Sequence, residues 1–304
     1  VSPLLIIAGP TGVGKSSLAH EVAGIVGAEI LSADSRQVYR GMTIGTAKAS
    51  DDEREQHPYH LVDILAPGVR WSAGGFLEVA QKAIADIEQR QHPVVVAGGS
   101  TLYVHALLEG LADLPAVSPS LEAQLLEEVA QPDGAERLYE ELRTADPVAA
   151  DTLDPSKTHR LIRFVGLWRE TGRRPSTAWE GVAPPHPAIL VVLTRPRDEL
   201  YRRIDARVLD MIEAGLMDEV QSILEASPHA RPTLEATIGY RELLPVLDGE
   251  RHLDEAIRLI QRNSRRYAKR QLTWYRRYPE ARWVDASATT AASLLAELAP
   301  WPAG

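Results

Sequence analysis

A short apolar run, Leu4 to Ala8, breaks into Gly9-Pro10-Thr11-Gly12-Val13-Gly14-Lys15-Ser16, and helical spacing follows from Lys15 to Val26. The pattern G-x-x-x-x-G-K-[ST] between a strand and a helix is a phosphate-binding loop, whose glycines let successive backbone N–H groups converge on an anion. Thr11, Gly12 and Gly14 would form that cradle, Lys15 adds a point charge, and the helix N-terminus adds its partial positive end. Ser16 carries the hydroxyl expected to ligate magnesium (Mg2+). A loop of this kind requires a parallel α/β sheet behind it. It leaves open which phosphate compound binds and what is done to it.

The rest of the chain supplies such a sheet. Gly27 is placed to stop the first helix, and a second strand, Glu29 to Ser32, runs into Asp34-Ser35-Arg36-Gln37-Val38-Tyr39. Strand, helix and strand in this order predict a right-handed parallel crossover, with Asp34 at the carboxyl end of a strand beside the phosphate loop. Phe76 to Arg90 has helical spacing, with Phe76, Val79, Ala83 and Ile87 on one stripe. Pro93 to Ala97 reads as a buried strand leading into Gly98-Gly99-Ser100-Thr101, and Ile189 to Leu193 as another. Between them, from about Asp113 to Pro187, only helices are expected: one from Ser118-Pro119, one from Asp133 to Ala145, and one from Lys157 to Thr171 stopped by Gly172. The predicted fold is therefore α/β, a P-loop NTPase-like parallel sheet core (1–112 and 188–304) with a helical insertion (113–187) and a helical C-terminal region. The last long helix is predicted over Leu253 to Tyr278.

Composition narrows the class. There are no cysteines, which excludes a disulfide scaffold or a thiolate zinc site and fits a reducing cytoplasm. No apolar run approaches the roughly 20 residues that span a bilayer. A strand that opens at Leu4 leaves no room for a signal peptide, so no membrane partner is expected. The net charge of −9 hides an asymmetry: nine basic residues stand between Arg258 and Arg282 against one acid, Glu280. At about 100° per residue, Arg258, Arg262, Arg265, Arg266, Lys269, Arg270, Arg276 and Arg277 share a sector of roughly 140°. Ile260, Tyr267, Trp274 and Tyr275 point the other way. One basic face backed by an apolar one suits the tracking of nucleic-acid phosphates.

Around the loop, the chemistry resolves into roles. A regulatory GTPase requires Asn-Lys-x-Asp and Asp-x-x-Gly, and neither is present; a motor ATPase would end its neighbouring strand in an acid rather than Gly98-Gly99. Asp34 is placed to act as a general base, with a magnesium contact or a cap as its structural alternatives. Gln37 has the donor and acceptor that read a base edge, or is a surface glutamine. Arg203 and Arg207 are four apart and can clamp a phosphate, or can pair with Asp198, Glu199 and Asp205. Tyr39, Tyr103 and Trp71 are candidates for stacking on a base. A kinase, an enzyme that prenylates free adenine nucleotides, and an RNA-binding module with a degenerate nucleotide site share parts of this pattern.

Taken together, GPTGVGKS, DSRQVYRGMTIGTAK, Tyr59-His60-Leu61-Val62-Asp63, GGSTLY, DPVAA, the run from Arg207 to Val220, GYRE and KRQLTW resemble one family over nearly the whole chain. That family is the tRNA dimethylallyltransferases, or tRNA isopentenyltransferases. The resemblance implies transfer of a dimethylallyl group from dimethylallyl diphosphate to N6 of the adenosine 3′ to the anticodon. It implies Asp34, Ser100 and Arg207 as catalytic residues. Thr11, Gly12, Gly14, Lys15, Ser16, Ser35 and Gln37 would bind substrate, and magnesium would sit on Ser16. Arg262, Arg265, Arg266, Lys269 and Arg270, with the insertion, would grip a tRNA anticodon stem-loop from two sides. A cytoplasmic monomer is expected. Ser100-Thr101 stand where the family has Thr-Gly, Ala49 where a proline is common, and Asp154-Pro155-Ser156-Lys157 where it has His-Pro-Asn-Asp.

Overall fold

A computed structural model describes residues 3–112, 117–154, 157–179 and 182–302. The first stretch runs β1 (Leu4–Ala8), α1 (Lys15–Val26), β2 (Glu29–Ser32), α2 (Asp51–Gln56), β3 (Tyr59–His60), α3 (Ala73–Gln89), β4 (Val94–Gly98) and α4 (Thr101–Glu109). Four helices follow: α5 (Pro119–Ala130), α6 (Gly134–Ala145), α7 (Pro147–Asp151) and α8 (Thr158–Thr171). The chain then continues as β5 (Ala188–Thr194), α9 (Arg197–Glu213), α10 (Leu216–Ala226), α11 (Arg231–Glu235), α12 (Tyr240–Leu247), α13 (Leu253–Tyr275), β6 (Arg282–Asp285) and α14 (Ala291–Leu298). Two compact units result, one of 1–108 with 184–304 and one of 109–183.

The first unit holds a six-stranded sheet in the order β3-β2-β4-β1-β5-β6, with every pairing parallel. Runs such as Val94-Val95-Val96 are apolar without alternation because both faces are covered. Leu4, Ile6 and Ala8 face a core shared with Phe76, Ile84 and Val104. Leu5 and Ile7, pointing the other way, pack with Leu18, Val22 and Leu294. A third core binds the 38–44 segment to α9, α10, α12 and α13 through Val38, Met42, Val208, Val220, Leu243 and Ile260. The α/β class with a P-loop-like parallel sheet is as expected.

The crossover from β1 to β2 passes over one strand. β2 is not the neighbour of β1, because β4 lies between them. A crossover sets handedness and direction, but a strand later in sequence can still insert into the gap. The insertion is tight: a Cβ on Gly98 would come 2.2 Å from the Ala33 carbonyl oxygen. That glycine lets the end of β2, and Asp34 beyond it, close on the phosphate loop across β4.

Corrections are local. In α3, which starts at a Ser72 cap on the Gly75 N–H, Phe76, Ala80, Ile84 and Ile87 are fully buried, and Val79 and Ala83 pack half-buried against the same core. α13 ends at Tyr275 rather than Tyr278. β6 lies in a stretch read as helical; it is a short edge strand whose residues are mostly exposed, so it carries no apolar signature. The 109–183 unit has a core of its own around Leu125, Leu138, Leu142, Leu161 and Val165. Gly172 closes α8 in the left-handed conformation, at φ 67°. The expected boundary at 113 and the Pro155-Ser156 departure lie outside the described residues.

Gly98→Ala should destabilise the protein by about 3 kcal/mol or more, since the clash is with backbone and cannot be relieved by a rotamer change. Urea denaturation against wild type measures this, and an unchanged midpoint would mean that the close approach of β2 and β4 is not required.

Candidate active site

The phosphate loop owes its shape to three glycines in conformations other residues resist: Gly9 at φ 143°, Gly12 at 79° and Gly14 at 110°. Lys15 Nζ donates to the Pro10 carbonyl at 2.8 Å, which holds the ammonium across the mouth of the loop. From α9, Arg203 Nε donates to the Gly12 carbonyl at 3.0 Å, and from the link between β5 and α9, Arg195 Nε donates to the Val13 carbonyl at 2.9 Å. Burial, aided by the charge of Arg207 and opposed by that of Asp34, brings the Lys15 pKa down to about 8. Arg207 is likewise lowered by burial, with Asp34 raising it and Arg203 lowering it. Cations that hold each other's charge down in a buried site await a polyanion.

Asp34 closes a turn, its Oδ1 accepting from the Arg36 N–H at 2.8 Å. Ser100 holds the same turn: its Oγ accepts from the Ser35 N–H at 2.8 Å, and it is 8% exposed. Two cavities meet at Asp34. One, of about 220 Å³, includes Asp34, Ser35, Thr237, Ile238 and Ser264 in its wall; the other, of about 100 Å³, includes Lys15, Ser16, Ser32, Gln37 and Gly99. Thr11, Asp34, Thr46, Arg207 and Tyr267 line both. A third cavity, of about 450 Å³ on the outer side of the loop, is lined by Gly14, Ser16, Lys48, Glu53, Arg203 and Asp210.

The expected residues do not all stand as imagined. Gln37 borders only the smaller cavity, and its amide is engaged: Oε1 accepts from the Ser32 hydroxyl at 2.7 Å, and Nε2 donates to the Thr46 and Ala47 carbonyls at 3.2 Å. Arg265 is drawn off the basic face of α13 by an ion pair with Asp205, and its guanidinium lies 5.9 Å from the Tyr201 ring centre. Arg258, Arg262, Arg266, Lys269, Arg270, Arg276 and Arg277 remain exposed. Of the stacking candidates, Tyr39 and Tyr103 are buried at 4% and 5% exposure, and Trp71 packs against the core.

Sequence reasoning missed four groups that build the site. Gln271, 2% exposed, accepts from the Thr11 N–H at 2.9 Å and donates to the Gly99 carbonyl at 2.7 Å, tying the loop to the end of β4. Its signal was legible: a glutamine on the apolar side of α13, near 220° where Arg258 is zero at about 100° per residue. Glu219 accepts from the N–H groups of Thr43, Ile44 and Gly45 at 2.9, 2.7 and 3.2 Å, and from the Tyr240 hydroxyl at 2.6 Å. It thereby holds the loop whose next carbonyls meet Gln37. Tyr267 stands where the two cavities join, and Lys48, buried, bridges Asp63 and the Tyr39 carbonyl.

As for a metal, no group of three His, Cys, Asp or Glu side chains suited to one occurs among the described residues. Ser16 is exposed at the N-terminus of α1, in a cavity that Glu53 and Asp210 also line. This donor set fits magnesium, which takes one or two protein ligands and completes its shell with water and phosphate oxygens. Among the described residues no helix is long and apolar enough to cross a membrane.

Comparison with known proteins agrees with this geometry. The IPP transferase family model matches residues 37–278. A tRNA dimethylallyltransferase of Geobacter metallireducens is 45% identical over 285 residues, covering 93% of this chain and 92% of the relative. Among solved structures, a tRNA delta(2)-isopentenylpyrophosphate transferase from Staphylococcus epidermidis superposes with a TM-score of 0.70 at 34% identity, covering 97% of each chain. A eukaryotic dimethylallyltransferase acting on tRNA superposes with a TM-score of 0.81 at 28% identity, over 94% of this chain and 74% of the other.

The lowered Lys15 pKa sets a pH dependence. Below about 8 the empty site holds Lys15 charged; above it the lysine must take up a proton to pair with an anion, so affinity for inorganic diphosphate should fall as pH rises from 8 to 10. Calorimetry on wild type and Lys15→Met should show a fall shallower by about one proton per bound anion in the variant. Equal slopes would mean that Lys15 does not titrate against the ligand.

Proposed function

This chain belongs to the IPP transferase family, and from that premise we propose that it transfers a dimethylallyl group from dimethylallyl diphosphate to N6 of the adenosine 3′ to the anticodon in tRNA, releasing diphosphate. The observation that carries the reading is the meeting of two cavities at Asp34 and Arg207, one opening on the phosphate loop and one large enough for a purine.

In this reading the loop N–H groups, Lys15 and Arg207 hold the diphosphate, whose charge grows as the C1–O bond breaks. Arg203 keeps the loop in shape from behind. Magnesium on Ser16, with Asp210 and Glu53 near, supplies further neutralisation of the diphosphate when bound. The adenine enters the larger cavity beside Tyr267 and Ser264. Its N6 lone pair forms the new bond to C1, the C1–O electron pair leaves with diphosphate, and Asp34 takes the N6 proton. Ser100, which lines none of the three cavities, acts at one remove by fixing the Asp34-Ser35 turn. Gln37, in the wall of the smaller cavity, would meet the adenine edge only where the two cavities join at Thr46, exchanging the Thr46 and Ala47 carbonyls for base atoms.

A base in a folded loop must be extruded to reach such a pocket, which calls for grip on the surrounding backbone. We assign that grip to the exposed face of α13 and, in the helical unit, to the exposed Lys157, Arg160, Arg173 and Arg174. We assign the reaction to a monomer in the cytoplasm. A kinase, or an enzyme acting on free nucleotides, would have no use for the α13 face.

The deciding assay supplies labelled dimethylallyl diphosphate and unmodified tRNA. Label should enter the RNA, and Asp34→Asn should lower kcat by about 10²-fold or more; label that stays out of RNA, or an undiminished variant, defeats the proposal. Separately, Arg262→Ala/Arg266→Ala/Lys269→Ala should reduce the slope of log affinity for tRNA against log salt by about 2 to 3. An unchanged slope would remove this face from the RNA site.

A further inference from the structure

The smaller cavity has a depth that the reaction above does not explain. On β2, Ile30 and Ser32 point to one face about 6.6 Å apart, since alternate residues share a side, and Asp34 follows in the turn beyond the strand end. Asp34 stands at the mouth. Ser32 is paired in register with Ala97, and Ile30, a step deeper, with Tyr59. The cavity is lined at all three levels, and Ala19 of α1 and Ala49 complete the lower wall. Below Asp34 the wall is formed by Ile30, Ala19, Ala49, Ala97 and the Tyr59 ring, and the hydroxyls of Ser32, Tyr59 and Thr46 that border the space are engaged with Gln37, His20 and the Met42 carbonyl.

Tyr59 is fastened in place. Its backbone is paired in β3, and its hydroxyl meets His20 Nδ1 at 3.3 Å, while His20 Nε2 meets Gln56 at 3.1 Å. The His57 ring packs edge-on against His20, 4.8 Å between centres. Burial pushes the phenol up to about 12, in keeping with a ring that faces an apolar space. The space is small: a dry cavity of about 150 Å³ takes up benzene, so one of about 100 Å³ holds about four or five carbons.

We propose that Tyr59 and Ile30 are the floor of the allyl pocket and limit the transferred group to five carbons. This rests on the function read from the same site. A ten-carbon geranyl tail would run into the Tyr59 ring before its C1 reached Asp34. Shortening the side chain at 59 opens the floor toward His20 and the surface, while Tyr59→Phe keeps the ring and loses only the hydroxyl.

The test compares kcat/KM for geranyl diphosphate and dimethylallyl diphosphate, each with unmodified tRNA. Wild type should favour the five-carbon donor by roughly 100-fold or more, and Tyr59→Ala and Tyr59→Leu should raise the geranyl-to-dimethylallyl ratio at least about tenfold. Tyr59→Phe should leave that ratio where it is. A ratio is insensitive to general loss of active enzyme, so partial misfolding of a variant does not imitate the result. Wild type that uses both donors equally overturns the floor assignment without recourse to any variant, as does an unmoved ratio in both shortened variants. Wild type that transfers neither group defeats the functional reading itself, a different outcome.

Discussion

Two buried cations with too little negative charge between them organise this protein. Lys15 and Arg207 come from separate segments of the first unit's sequence; burial lowers the hold of each on its proton, Arg207 adds to this at Lys15 and Arg203 at Arg207, and Asp34 is the carboxylate that opposes it at both. A folded chain tolerates such an arrangement only where a ligand is to supply the missing charge. The imbalance also gives the site its selectivity between states. An anion that arrives relieves the repulsion, and one whose charge increases as a bond breaks relieves it further, so the same contacts favour departure of a phosphate-bearing group.

The supporting contacts make sense as means of keeping those charges from relaxing apart. Gln271 ties the phosphate loop to the end of β4, Arg203 of α9 and Arg195 just before it brace the loop, and Ser100 pins the turn that carries Asp34. Glu219 performs the same service for the 43–47 loop by collecting three N–H groups on one carboxylate. All but the exposed Arg203 are buried or half-buried polar groups hydrogen-bonded inside the protein, and such networks rigidify what they join. α13 contributes twice, with a buried amide on its inner side and exposed cations on its outer side. One rigid helix thus carries both a brace of the phosphate site and the surface suited to a polyanion.

Much of this was legible because it is local. The strand, loop and helix from Leu4 to Val26 have the bounds that their residues announce, Gly27 and Gly172 end their helices in the left-handed conformation, and the apolar strands are where unbroken Val, Leu and Ile runs put them. Where the reading slipped, a longer-range contact had overruled a local pattern. Arg265 has the angular position of a surface cation, but Asp205 on α9 captures it. Tyr103 was a stacking candidate by its position after the second glycine pair, yet it lies flat on Phe76, 4.0 Å between ring centres. β6 escaped notice because an edge strand of RWVD, mostly exposed, has no alternation to read.

By itself, then, the sequence determined the elements, the phosphate loop and the presence of a basic helical face, since propensity, glycine conformation and periodicity act over a few residues. Tertiary structure alone decided that β4 lies between β1 and β2, which of the α9 arginines reach the loop, and that the space at Asp34 divides into a large cavity and a small one. It also decided the task of Gln271, whose partner Thr11 is 260 residues away along the chain. The physical reason is common to all of them. A hydrogen bond, an ion pair or a cavity wall depends on distances between residues that share no local pattern, and those distances exist only once the sheet has brought its strand ends together.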